Sequence, residues 1–155
     1  MKITAQEEYG LRCLVQLARA PYNQVVSVKE IAAREGLSSA YVEKLLRILS
    51  KTGLVHSVRG VKGGYVMSRP ASTITLGDVV RGLGTLETTD HICQSFTGNG
   101  AVCVHFSNCG IRSAWSGLTS SIHQFLDQTT LESLLGDEYT VSHRLAKRLG
   151  KKGSP

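Results

Sequence analysis

The first third of the chain alternates helical apolar stripes with glycine and serine stops. Leu11, Leu14, Val15 and Ala18 recur at i, i+3, i+4 and i+7, the inward face of an amphipathic helix over 5–20. Thr4 and Glu7 stand ahead of it in capping-box register, able to satisfy its first free amides. Ser27 and Glu30 repeat the signal and open a short helix that Gly36 ends. After Gly36-Leu37-Ser38, Ser39 can cap a third helix that runs to about Thr52 and stops at Gly53. There Val42, Leu45, Leu46 and Leu49 share one face, and Ala40, Glu43, Lys44, Arg47 and Lys51 share the other. Two helices on a short turn, the second basic on its outer face, are a helix-turn-helix candidate. An ordinary helical hairpin with a solvated face has the same pattern.

The next segment separates the two. Leu54–Val58 and Tyr65–Ser68 are β-like runs, joined by the glycine-rich turn Arg59-Gly60-Val61-Lys62-Gly63-Gly64. A hairpin directly after a helix-turn-helix is a wing. No helix bearing Lys-Ser/Thr follows the turn, which excludes a phosphate-binding P-loop. Ile74–Leu83 gives one more short helix, with Thr75 and Asp78 near its start and Gly84 at its end. From Gly110 a long helix carries Ile111, Trp115, Leu118, Ile122 and Phe125 at spacings of 4-3-4-3, the stripe of a coiled-coil seam. Such a stripe can pack on its own domain. Here it follows a domain that is already complete, so a second subunit is expected to cover it. A short helix follows around Leu131–Leu135.

The predicted fold is mainly α with a small β-wing. Residues 1–85 form a winged helix-turn-helix domain, 86–109 a cysteine-containing loop, and 110–136 the dimerisation helix with the short helix after it. Residues 137–155, with Arg144, Lys147, Arg148, Lys151 and Lys152, are expected to be a disordered basic tail attracted to phosphate only in a general way.

Charge sharpens this picture. Residues 1–85 hold 12 Lys/Arg against 6 Asp/Glu, whereas 86–155 hold 6 of each, so the whole net +6 lies in the first half. A basic half suits a polyanionic partner, although a solvated surface has the same composition. No apolar run reaches the roughly 18 residues of a membrane span, and the N-terminus has no signal-peptide core; a cytoplasmic protein is expected. No flavin, nucleotide or catalytic His/Asp motif is present, so neither an enzyme nor a small-molecule substrate is expected.

Of the four cysteines, Cys93, Cys103 and Cys109 fall within 17 positions. In a reducing compartment such a triplet points to metal binding or redox chemistry before structural disulfides. Three thiolates with one N or O ligand serve zinc or an iron–sulfur cluster equally. Cys13 lies near the inward stripe of the first helix and reads as a small core residue.

With these residues assembled, the chain resembles the IscR/NsrR/RirA regulators, the Rrf2 family. The likeness runs from Met1-Lys2-Ile3-Thr4 through Leu37–Leu46, the Gly53-Leu54-Val55 turn, Arg59-Gly60 with Gly63-Gly64-Tyr65, and Ile74–Val80 to Thr130-Leu131. The resemblance implies a cytoplasmic homodimer on a double-stranded DNA operator, joined through the long helices. It implies DNA contacts from Ser38, Ser39, Tyr41 and Glu43 and a minor-groove arginine at Arg59; the basic outer face of the helix adds Lys44 and Arg47 as DNA contacts, and the wing turn adds Lys62 as a phosphate contact. It also implies a 2Fe–2S or 4Fe–4S cluster on Cys93, Cys103 and Cys109. The gap from Cys93 to Cys103 is longer than in cluster-binding relatives. Arg112 stands where some relatives place a ligating histidine, and a guanidinium cannot ligate. By likeness the fourth ligand is Glu8 from the other subunit, with His91 and His105 as rivals. The alternatives are a zinc- or thiol-switched DNA-binding regulator and an iron–sulfur electron carrier, which the basic wing opposes.

Overall fold

The computed structural model describes residues 3–84 and 88–150. Helices α1 (Ala5–Arg19), α2 (Val28–Glu35) and α3 (Ser39–Lys51) come first, then strands β1 (Val55–Val58) and β2 (Gly64–Met67). After a 3₁₀ turn at Ala71–Thr73 follow α4 (Leu76–Leu83), α5 (Thr89–Ser95) and α6 (Gly110–Gln128), a second 3₁₀ turn at Leu131–Leu134, and α7 (Glu138–Gly150). The expected boundary at 85/86 and the last residues of the tail, 151–155, lie outside the described residues.

The apolar stripes meet as their spacing requires. Leu14 of α1, Ile31 of α2, Val42, Leu45, Leu46 and Leu49 of α3, and Val55 of β1 are fully buried in one core. Thr4 and Glu7 form the capping box of α1, and Thr75 and Asp78 form that of α4. α3 begins one residue earlier than its expected cap allows. Ser38 is the cap, its hydroxyl accepting the Tyr41 amide at 3.2 Å, and Ser39 is the first helical residue. β1 and β2 pair antiparallel, Val55 opposite Met67 and Val58 opposite Gly64, and Val26 bridges to Tyr65 as a third, single-residue rung.

The chain leaving α6 returns to this core. The Leu76 amide donates to the Thr129 carbonyl and the Leu131 amide to the Ile74 carbonyl, each at 2.8 Å, which seats Leu131 in the interior. Arg81 of α4 reaches Asp78 at 3.3 Å and Asp127 of α6 at 2.9 Å, while Arg69 holds the other Asp78 oxygen at 2.8 Å.

Two expectations are corrected here. The cysteine loop contains a helix, α5, capped by the Thr88 hydroxyl on the His91 amide at 3.2 Å. The tail expected to be disordered from 137 is helical over Glu138–Gly150. The Asp137 carboxylate caps it at the Thr140 amide (2.7 Å), and the Arg144 guanidinium donates to the carbonyls of Ser133 (3.0 Å) and Leu135 (3.1 Å). Arg148 donates to the Gln128 carbonyl at the end of α6. Basic side chains thus satisfy the carbonyls that a helix end leaves open.

Candidate functional site

The outward face of α3 is set by its inward one. With Val42, Leu45, Leu46 and Leu49 locked in the core, Ala40, Glu43, Lys44, Arg47, Ile48 and Lys51 line a shallow groove of about 320 Å³ on the other side. Ser38, Ser39, Lys44 and Arg47 are exposed; Tyr41 and Glu43 are half-buried. Arg47 Nη2 donates to Glu43 Oε1 at 2.7 Å, and the Glu43 carboxylate holds the Arg47 pKa up. Tyr41 meets Tyr9 of α1 edge-on, ring centres 5.9 Å apart, which fixes the first turn of α3 against the domain.

The wing turn is equally determined. Gly36, which closes α2, and Gly60, which turns the wing, have φ of +66° and +120°, a backbone region that favours glycine. A β-carbon at Gly63 would sit 2.6 Å from the Val58 carbonyl oxygen, so the turn has no room for one. Arg59, Val61 and Lys62 consequently project from the hairpin into solvent. The expected DNA-reading residues therefore belong to two neighbouring elements of one domain, the recognition helix and the wing.

The thiols fall into two groups. Cys13 is fully buried in the core, and burial pushes its thiol up to about 11. Cys93 on α5, Cys103 in the following turns and Cys109 at the start of α6 are free and half-buried. Cys109 is the N-cap of α6, its sulfur accepting the Arg112 amide at 3.4 Å. Arg112 also donates to the Phe106 carbonyl at 2.7 Å and lies over the Phe106 ring, 5.2 Å from its centre. At the position where a ligand is absent, then, Arg112 pins the loop. The Thr89 and Thr119 hydroxyls, 3.0 Å apart, tie α5 to α6. Among the described residues no three His, Cys, Asp or Glu side chains converge on a metal-holding arrangement. The donor set suits a thiolate-ligated group in kind, but the described residues of one chain do not preassemble it. Glu8 is exposed on α1, and His105 is exposed in the loop.

On α6, Leu126 is the one residue buried among those described. Ile111, Trp115 and Leu118 are 67%, 43% and 50% exposed, and Ile122 and Phe125 are half-buried. The 4-3-4-3 stripe is thus largely uncovered in the single chain. Among the described residues no helix is long and apolar enough to cross a membrane.

Comparison with known proteins gives a consistent result. A family model described as "Rrf2: Iron-dependent Transcriptional regulator" matches residues 3–137. Protein rrf2 of Nitratidesulfovibrio vulgaris is 34% identical over 137 residues, 88% of this chain and 89% of its own. The HTH-type transcriptional regulator IscR of Cereibacter sphaeroides is 31% identical over 140 residues, 89% of each chain. The solved structure of CymR (YrzC), the global cysteine regulator of B. subtilis, superposes with a TM-score of 0.69 at 32% identity, covering 85% of this chain and 94% of that one.

Proposed function

Because the chain belongs to the Rrf2 family of transcriptional regulators, whose members matched here are not enzymes, we propose that it is a cytoplasmic, homodimeric, sequence-specific DNA-binding regulator switched at its cysteine loop. The observation that carries this reading is the outer face of α3, where Lys44, Arg47 and Lys51 line a groove with Glu43, followed in the same domain by a wing turn that exposes Arg59 and Lys62. Phosphate contacts from Lys44, Lys51 and Lys62 position the helix, and Ser39, Tyr41 and Glu43 read base edges. Arg59 enters the minor groove. The exposed stripe of α6 supports dimerisation, which would give two recognition helices at a fixed spacing.

In the first form of the switch, Cys93, Cys103 and Cys109 hold an iron–sulfur cluster with Glu8 of the partner subunit as fourth ligand. When bound, such a cluster supplies a centre responsive to iron, cluster supply, nitric oxide or redox state. Around it, α6 presents an amide to the Cys109 sulfur, and Arg112 holds the loop through Phe106. The second form is a thiol switch without a cluster. It is favoured by the thiols' failure to converge within one chain and by the likeness to a cysteine regulator.

Anaerobic purification separates the forms. A brown protein with an iron Mössbauer signal, lost in Cys103→Ala, supports the cluster. A colourless protein whose DNA affinity changes with thiol oxidation supports the thiol switch. DNA affinity that ignores both metal and oxidant would overturn the loop as the switch. Glu8→Ala should leave a cluster that assembles but decays faster; an unchanged lifetime, with loss in His105→Ala, transfers the role to His105.

A further inference from the structure

Resting on that DNA-binding reading, we infer that Glu43 and Arg47 act as one recognition unit for a C·G base pair, with Arg47 the residue that makes the carboxylate usable in the major groove. The two lie one turn apart on the outer face of α3, joined at 2.7 Å, with side chains 47% and 68% exposed. An exposed pair of this kind adds little to a helix, so the fold does not depend on it. The pair is the contact that orients the Arg47 guanidinium: its Nη2 donates to Glu43 Oε1, which leaves its other N–H groups on the exposed face.

An unpaired carboxylate entering a groove lined by phosphates is repelled by them and gives up its own hydration. Pairing with Arg47 neutralises it before it arrives. The pair then presents an acceptor and donors side by side, and a C·G pair offers the complementary edge: a donor at cytosine N4 beside acceptors at guanine O6 and N7. Glu43 Oε2 takes the cytosine amine, and the Arg47 N–H groups not committed to Glu43 meet the guanine. Adenine carries an N6 amine where guanine carries O6, which would set donor against donor under the guanidinium. Arg47 is a specificity-determining residue here because removing it alters what Glu43 can read, beyond the loss of one positive charge.

The test is selection from a randomised duplex pool by the full chain and by Arg47→Ala, Glu43→Ala and the double variant, with matched thermal melts as a folding control. The unsubstituted protein should enrich C·G at one position of each half-site, and Arg47→Ala should lower that preference by about tenfold. In the Arg47→Ala background, Glu43→Ala should raise affinity for the pool, because the unneutralised carboxylate is gone. If Arg47→Ala keeps the C·G preference and weakens all sequences alike, with a salt slope flatter by about one unit, Arg47 is a phosphate contact and the inference fails while DNA binding stands. No enrichment by the unsubstituted protein would remove the DNA-binding reading, and this inference with it.

Discussion

Replacing Trp115 by alanine tests the dimer seam where its magnitude can be worked out. Trp115 is 43% exposed in the single chain and makes no part of the buried core. A tryptophan side chain presents roughly 200 Å², so about 90 Å² per copy awaits a partner. At about 25 cal/mol per Å² that is about 2 kcal/mol per copy, and about 4 kcal/mol for the two copies of a symmetric seam. The dimer dissociation constant should therefore rise about a thousandfold. Sedimentation velocity across a concentration series measures it, with a thermal melt to show that the monomer's own fold is retained. Trp115→Asp, which places an unpaired charge at the same point, should give monomers throughout. An unchanged dissociation constant in Trp115→Ala, or a monomeric parent at the highest soluble concentration, would refute the seam.

The remaining expectations concern DNA, pH and thiols. Arg59→Ala should lose about 1–3 kcal/mol on the selected site and much less on random DNA, whereas Lys62→Ala should weaken every sequence and flatten the salt slope by roughly one unit. Equal losses for Arg59→Ala on both would leave it a phosphate contact. Burial pushes the Asp78 carboxyl up, but the Thr75 amide and the Arg69 and Arg81 guanidinium groups outweigh it and hold the pKa below the usual carboxylate value. A depressed carboxylate adds stability above its unfolded pKa of about 3.9 and loses it as pH falls through the folded value. Asp78→Asn should thus lower the melting temperature at neutral pH, with the gap closing below about pH 4; a gap constant with pH would contradict the assignment. In metal-free, reduced protein, Cys93, Cys103 and Cys109 should react promptly with a disulfide reagent and Cys13 only on unfolding, since Cys13 is 0% exposed and its thiol sits at about 11. Four equally fast thiols would place Cys13 outside the core.

The parts of the fold that were legible in the sequence are those built on apolar periodicity and local caps. Helices α1 to α4 carry stripes that bury and Ser/Thr caps that begin them, so their placement erred by one or two residues, as at Ser38 against Ser39. Helix α5 had no such stripe: none of its residues is buried, and its Thr88 cap stands alone as a signal. Helix α7 was hidden for a different reason. Its half-buried Val141 and Leu145, one turn apart, form a short stripe that its basic residues outnumber, and its docking through Arg144 and Arg148 on open carbonyls is a polar match that the stripe does not reveal. Asp137, three residues before Thr140, was the available clue. For the site, the one-turn spacing of Glu43 and Arg47 was visible, but which side chains meet across that turn is set by rotamers that the pattern does not carry. The role of Arg112 as a pin for Phe106 needed the path of the loop.

Arg81 has a consequence for how any signal in the loop could travel. Its guanidinium spans Asp78 on α4 and Asp127 on α6, and a methyl group at Gly77 would run into the same Asp127 carboxylate. The Leu76 amide on the Thr129 carbonyl and Leu131 seated in the core tie the same joint through the backbone, so α6 and the reading head should turn as one lever, with little slack to absorb a tilt. In the proposed dimer, a small rotation where two α6 helices cross would then be magnified along each lever into a larger change in the distance between the two α3 helices. Gly77→Ala would loosen that hinge, leaving each head able to bind a half-site while uncoupling their spacing from events at the cysteines.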